Sequence, residues 1–271
     1  MNTTIPTTLS AAGANASTHG KVWLIGAGPG DPELLTVKAA RQLQRCTIWL
    51  VDDLVSQSIL ELASPKTRII HVGKRGGCVS TSQQFILRLM TRYARQGHAV
   101  ARLKGGDPFI FGRGGEEMSW LTQRGIQVEA ISGITAGLAV GSALGLPLTH
   151  RGCSRGVVLV TAHTADGSQP SWEALAASGL SVVCYMGMSN IDELSRTLLT
   201  AGFAASLPVA VVQNVSSAAQ RQLFTTLAEL AQKVKAHDLG SPSVIVLGQA
   251  VSLAQSAGID ADQLSSLALA V

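Results

Sequence analysis

Short apolar runs alternate with longer amphipathic segments over most of the chain. Residues 21–25, Lys-Val-Trp-Leu-Ile, form a run bounded by glycines, the pattern of a buried strand. Residues 33–44 follow, with Leu34, Leu35, Ala39 and Leu43 at near-helical spacing. Runs at 46–51, 67–72, 99–103 and 126–131 predict further strands with helices between them. One helix opens on Ser80-Thr81-Ser82-Gln83, a capping box; Phe85, Leu89 and Tyr93 mark its predicted buried face, and Gly97 ends it. Another begins near Glu116 and stops at Gly125. In the second half, strands are predicted at 156–161, 180–186, 208–213 and 243–247. Helices are predicted at 172–177 behind Ser171, at 189–199 with Asn190 and Asp192 at its front, and over most of 223–234.

This alternation predicts an α/β protein whose parallel strands are joined by crossover helices. No 20- to 50-residue period recurs, which excludes a solenoid. Between residues 132 and 155 the pattern breaks at a small-residue segment, 137–146, then at Pro147 and His150-Arg151-Gly152. A change of domain is expected there, giving two α/β domains at 21–133 and 134–253. Residues 1–20 carry no Lys or Arg and no apolar core, so they read as a disordered leader, not a signal peptide. Residues 254–271 read as a tail, a short helix or a frayed end. Strand order within the sheets does not follow from the pattern.

Composition narrows the partners. With 271 residues, 46% hydrophobic and 14% charged, the chain is long and apolar enough for a packed core. Net charge of +4 gives a mild bias toward acidic partners. Aromatics are sparse and no block of Lys and Arg occurs, which argues against nucleic acid. No run is long enough to span a bilayer. Cysteines at 46, 78, 153 and 184 lie outside metal-ligand spacing of one another. They read as reduced thiols of a cytoplasmic protein, with no metal site.

The candidate chemistry sits in glycine-bent turns. Residues 104–114 read Lys-Gly-Gly-Asp-Pro-Phe-Ile-Phe-Gly-Arg-Gly, with four glycines in eleven positions. That suits a loop whose backbone approaches a ligand, and equally an ordinary strand-to-helix connection. Asp107 before Pro108 is held extended. The first turn, Gly26-Ala27-Gly28-Pro29-Gly30-Asp31, has Asp31 where a dinucleotide fingerprint needs its third glycine. A carboxylate there would repel a pyrophosphate but tolerates a cationic or zwitterionic cofactor. Asp52-Asp53 end the second strand, where open parallel sheets place their sites; either also serves as a cap or a solvated loop acid. Lys74 and Arg75, between Gly73 and Gly76-Gly77, fit an anion, or plain surface charge.

Taken together, the motifs resemble the tetrapyrrole methylase family. Residues 25–31 with Leu34-Leu35-Thr36 look like its first signature. Residues 105–114 are similar to the form of the second signature found in uroporphyrinogen-III C-methyltransferases. Val72-Gly73-Lys74-Arg75, Gly133-Ile134-Thr135-Ala136, Pro147-Leu148-Thr149-His150-Arg151 and Tyr185-Met186-Gly187 keep the family's order from about residue 21 to 251. The resemblance implies the two-domain tetrapyrrole methylase fold, usually a homodimer, with S-adenosyl-L-methionine in the cleft between domains. It also implies methylation of uroporphyrinogen III at C-2 and C-7, giving precorrin-1 and then precorrin-2.

Carried over position by position, the implied cofactor residues are Pro29, Gly105, Gly106, Asp107, Ile110, Thr135, Ala136 and Met186. Asp52 matches a proton acceptor, Lys74 a proton donor, and Arg113 an arginine that handles substrate, with Glu116 close behind. Ser132 stands where the family has proline, and Val215 where it has a glycine whose backbone meets the cofactor. Lys74, Arg75, Arg113, Arg151 and Arg155 are the expected partners of the substrate's carboxylates. The glycine turns near 28 and 106 are expected to meet across the interdomain gap. Alternatives are a methylase of a later corrin precursor, a nicotinamide-dependent oxidoreductase, or a non-catalytic cofactor-binding module.

Overall fold

The computed structural model describes residues 20–73, 81–162 and 167–256. The leader, Lys74, Arg75, Cys78, the first residue of the expected capping box and most of the tail lie outside the described residues. Two five-stranded sheets organise the rest.

The first sheet runs β3-β2-β4-β1-β5, from β1 (Lys21–Gly26), β2 (Ile48–Val51), β3 (Arg68–His71), β4 (Val100–Lys104) and β5 (Gln127–Ile131). Every pairing in it is parallel. Both faces are covered, which is why β2 reads as a continuous apolar run and every residue of β4 is buried, its two charged ones included. On one face Ile25, Trp49 and Leu103 pack with residues of α1 (Val37–Leu43) and α2 (Gln57–Leu60). On the other, Leu24, Leu50 and Val100 meet α3 (Gln83–Arg95) and α4 (Gly114–Thr122).

The second sheet runs β6-β7-β10-β8-β9 and is mixed. β6 (Val157–Thr161) pairs parallel with β7 (Ser181–Tyr185). β10 (Ser243–Leu247) is antiparallel to both β7 and β8 (Pro208–Gln213), and β8 is antiparallel to β9 (Arg221–Thr226). α6 (Trp172–Ser178), α7 (Ile191–Thr200) and α8 (Leu230–Ala236) cover one face; α5 (Ala136–Ala143) and α9 (Val251–Ser256) cover the other.

Several predicted elements differ. The helix expected from residue 33 is a 3-10 turn, Pro32–Leu34, followed by a separate α1. Asp31 caps the turn by accepting the Glu33 N–H at 2.8 Å, and Thr36 caps α1 by accepting the Ala39 N–H. The buried face of α3 is centred on Ile86, Leu87, Met90 and Ala94, with Leu89 and Tyr93 partly buried at its border and Phe85 outside it. Phe85 is 55% exposed, because the 86/90/94 stripe is the one that meets the sheet. The helix expected over 223–234 is instead β9, a 3-10 turn and the short α8. Leu223 and Thr225 alternate inward along β9, a two-residue period that marks a half-buried strand.

Candidate active site

The site grows from the carboxyl ends of β1, β4 and β2, where a parallel sheet exposes loop backbone. Beyond β1 and β4 the chains stay paired through an isolated bridge between Gly28 and Gly106. Gly106 N–H donates to the Gly28 carbonyl at 2.7 Å, and Gly28 N–H returns the bond at 3.2 Å. Gly106 has φ of +67°, a left-handed geometry that glycine adopts without strain. Gly133 crosses so close behind it that a Cβ there would lie 2.2 Å from the Gly106 carbonyl oxygen. The two turns therefore meet, but as neighbours on one sheet and not across a gap between domains.

What faces them comes from the second half. Tyr185, at the end of β7, accepts the Gly137 N–H at 2.7 Å and shares a hydrogen bond with Thr135 Oγ1, also at 2.7 Å. Its ring lies 4.9 Å from that of Phe111. Burial raises the Tyr185 phenol above its usual range, against the pull of the Thr135 and Gly137 hydrogen bonds. Met186 follows, half exposed and left-handed at φ +56°. The loop after β8 reaches Gly30, where an added Cβ would stand 3.4 Å from the Val215 carbonyl oxygen. Pro29, Gly105, Gly106, Asp107, Thr135 and Ala136 are thus on or beside the paired turns, with Val215 against the first turn and Met186 next to Tyr185.

Asp107 spends its carboxylate within the protein. Oδ1 accepts the Phe109 N–H at 2.8 Å and Oδ2 the Gly133 N–H at 3.1 Å, tying the loop to the chain after β5. Phe111 and Arg113 both have left-handed backbones, and Ile110 is exposed beside them. Left-handed non-glycine residues cost about 1–3 kcal/mol each and gather where a loop is held for function. Asn214 and Ser216, flanking Val215, share the conformation; Val215 does not. A β-branched residue is therefore unstrained at that position, which accommodates the departure from glycine.

Asp52 follows β2 beside this loop. Its N–H donates to the Leu103 carbonyl, and its Oδ1 accepts the N–H of Asp53 at 3.0 Å. Arg113 stands at the start of α4 and forms a two-pronged pair with Glu116, at 2.9 and 2.6 Å. That pairing pushes the guanidinium up and holds the Glu116 carboxyl below its ordinary range. Both side chains are more than half exposed. Lys74 and Arg75 lie outside the described residues.

The sequence reading missed a buried charged cluster behind Asp52. Glu117, with no exposed surface, accepts from Arg102 Nε and Lys104 Nζ at 3.2 Å each and from Gln83 Nε2 at 3.1 Å, all on Oε1. Its Oε2 has no partner among the described residues. Burial, reinforced by Arg102, holds Lys104 below its usual range, outweighing the upward pull of Glu117 and Asp52. The signal was present: Arg102 and Lys104 are two charges on one face of an otherwise apolar strand.

Residues 21–231 match the family described as tetrapyrrole (corrin/porphyrin) methylases. The chain belongs to the tetrapyrrole methylases. This methylase is 55% identical over 230 residues to the uroporphyrinogen-III C-methyltransferase of Pseudomonas aeruginosa, covering 85% of this chain and 94% of that one. It is 49% identical over 239 residues to the enzyme of the same name from Pseudomonas fluorescens, covering 88% and 96%. Among solved structures it resembles a uroporphyrin-III C-methyl transferase from Thermus thermophilus complexed with S-adenyl homocysteine. There the identity is 38% and the TM-score 0.75, over 86% of this methylase and 100% of the other chain.

Proposed function

We propose that this methylase transfers methyl groups from S-adenosyl-L-methionine to uroporphyrinogen III, at C-2 and C-7, giving precorrin-2 by way of precorrin-1. The observation that carries the reading is the paired Gly28–Gly106 turn, with Thr135, Tyr185 and Phe111 joined beside it. The near relatives act on this substrate by name.

The residues present fit the cofactor. Main chain, not side chain, forms the cradle, and residues 26–31 and 105–107 contain no Lys or Arg. The Asp31 carboxylate beside the first turn would repel a phosphate. A sulfonium and a methionine zwitterion are served by carbonyls and amides. Gly105, Gly106, Asp107 and Val215 would act through their backbones, Thr135 and Ala136 from the start of α5, and Pro29 from the first turn. Ile110 and Met186, apolar and partly exposed, would take the adenosine. Bound there, S-adenosyl-L-methionine would supply an activated methyl group and leave as S-adenosyl-L-homocysteine.

The remaining work belongs to the protein. Methylation of a pyrrole carbon leaves a cationic ring that must lose a proton, and Asp52, which follows β2, is the proposed acceptor. Lys74 keeps the proton-donor role that the family resemblance implies. Arg113, Arg151 and Arg155 are the proposed holders of the substrate's carboxylates. Charge-assisted bonds contribute about 1.5–3 kcal/mol each, so a few suffice for micromolar binding. For Arg113 this means exchanging Glu116 for a substrate carboxylate, or gripping one alongside it. Orientation in a closed cleft supplies most of the rate. The proposed assembly is a homodimer in the cytoplasm; no helix of the described residues is long and apolar enough to cross a membrane.

The test is transfer of label from S-adenosyl-L-methionine to uroporphyrinogen III by the purified protein. A dimethylated product is expected. Cofactor binding with transfer only to a later corrin precursor would overturn the substrate assignment.

A further inference from the structure

Arg102 is almost wholly buried, at 3% exposure, and its planar fork is addressed on every side. Nε donates to Glu117 Oε1 at 3.2 Å. Nη1 donates to the Leu103 carbonyl at 3.0 Å and the Leu50 carbonyl at 3.4 Å. What remains is Nη2, and it stands 3.9 Å from Asp52 Oδ2 as an ion pair. Two strands and one helix thus fix the guanidinium so that its one uncommitted arm faces the carboxylate at the end of β2. Among the described residues Asp52 has one further hydrogen bond, from the N–H of Asp53 to Oδ1, and a third of its side chain is exposed.

A buried cluster of this kind is weak evidence for stability. Desolvating the charges offsets most of the attraction, and apolar side chains of the same volume would serve a core as well. Buried charges at the carboxyl edge of a sheet point instead to a site. The neighbouring positions on this face, Leu24, Leu50 and Val100, are ordinary core. Among the described residues, buried charge enters this face of the sheet at Arg102 and Lys104, where β4 approaches Asp52.

We propose that Arg102 is a positioning residue for methyl transfer, steered by Glu117 so that its free arm holds the Asp52 carboxylate in one orientation. The inference rests on the reading of Asp52 as the proton acceptor. Among the described residues, the charged groups around Asp52 are Arg102 and Lys104 from β4, Asp53 from its own loop, and Glu117 from α4 through Arg102. The service of Glu117 is directional: it holds Nε so that Nη2 faces Asp52.

The test is the pH dependence of kcat/KM for methyl transfer to uroporphyrinogen III, with S-adenosyl-L-homocysteine affinity measured in parallel. Asp52→Asn is expected to remove the acid limb. Arg102→Gln is expected to lower kcat about tenfold, since the Asp52 carboxylate loses the arm that orients it. Cofactor-product affinity should stay within about twofold, because Arg102 touches no part of the cradle. Arg102→Lys keeps a cation for Glu117, and so the fold, but loses the fork. It is expected to retain affinity while losing about tenfold in kcat. Wild-type kcat in Arg102→Gln or in Arg102→Lys overturns the positioning role while Asp52 stands as the acceptor. An acid limb that survives Asp52→Asn overturns the acceptor reading itself, and this inference with it.

Discussion

Arg113 carries two properties at once: a left-handed backbone and a two-pronged bond to Glu116. Lysine keeps the charge but not the planar fork. Arg113→Lys is therefore expected to lower kcat at least about tenfold, with S-adenosyl-L-homocysteine affinity nearly unchanged, because the cradle lies on other residues. Isothermal calorimetry beside steady-state kinetics separates the two. A collapse of cofactor affinity would move Arg113 to the other side of the cleft. Tyr185 gives the complementary case. Its hydroxyl serves both Thr135 and the Gly137 N–H. Tyr185→Phe leaves that N–H without its acceptor and should cost about 1–3 kcal/mol in urea unfolding. An unchanged midpoint would show that solvent replaces the hydroxyl.

The elements that set the site depend on close backbone approach. Helix α5 is built of small residues, and the reason is local: a Cβ on Gly137 would fall 2.3 Å from the Tyr185 hydroxyl. Gly137→Ala is expected to push α5 off β7, lowering Tm and weakening S-adenosyl-L-homocysteine binding together. A lower Tm with full affinity would place α5 outside the cofactor's support. A second element-level contact joins the start of the chain to the sheet edge. Glu129 on β5 accepts from Lys21 on β1 and pairs with Lys38 on α1, each at 2.6 Å. Those two partners draw its pKa down to about 2. A depressed carboxyl stabilises the fold above its unfolded value and loses that contribution as pH falls toward 2. The pair is largely solvated, so its worth is under about 1 kcal/mol. Glu129→Gln should be slightly less stable than the parent at pH 7, and the difference should close by about pH 2. A gap that persists at low pH would assign the effect to packing and not to charge.

For the molecule as a whole, the cleft gathers loops from both sheets, so a ligand bound there stabilises the folded state by linkage. Saturation at a hundred times Kd adds about 2.7 kcal/mol. S-adenosyl-L-homocysteine should raise Tm in a concentration-dependent way, while nicotinamide dinucleotides leave it in place. Asp31, whose carboxylate caps the turn at Glu33, sits where a pyrophosphate would need room and positive potential. Stabilisation by the dinucleotide and not by the homocysteine derivative would reverse the functional reading.

Local chemistry was legible along the chain because it is written in adjacent residues. Glycine turns after β1 and β4, the extended Asp107-Pro108 step, the acids ending β2 and the alternation of strand and helix are each set by neighbouring positions. These were enough to fix the α/β class and to align the signatures of the family. Other features depend on residues far apart in sequence. The 86/90/94 stripe becomes the centre of the buried face, and Phe85 falls outside it, only once the sheet is there to receive the helix. Strand β9 is a strand because β8 offers an antiparallel edge. The pairing of Gly28 with Gly106 follows from β1 and β4 being neighbours, an order no local pattern encodes. Glu117 lies apart from Arg102 and Lys104 in the sequence, and burial strips all three of water and turns them toward one another. Desolvation and strand order are properties of the folded whole, and it is there that the setting of Asp52 was decided.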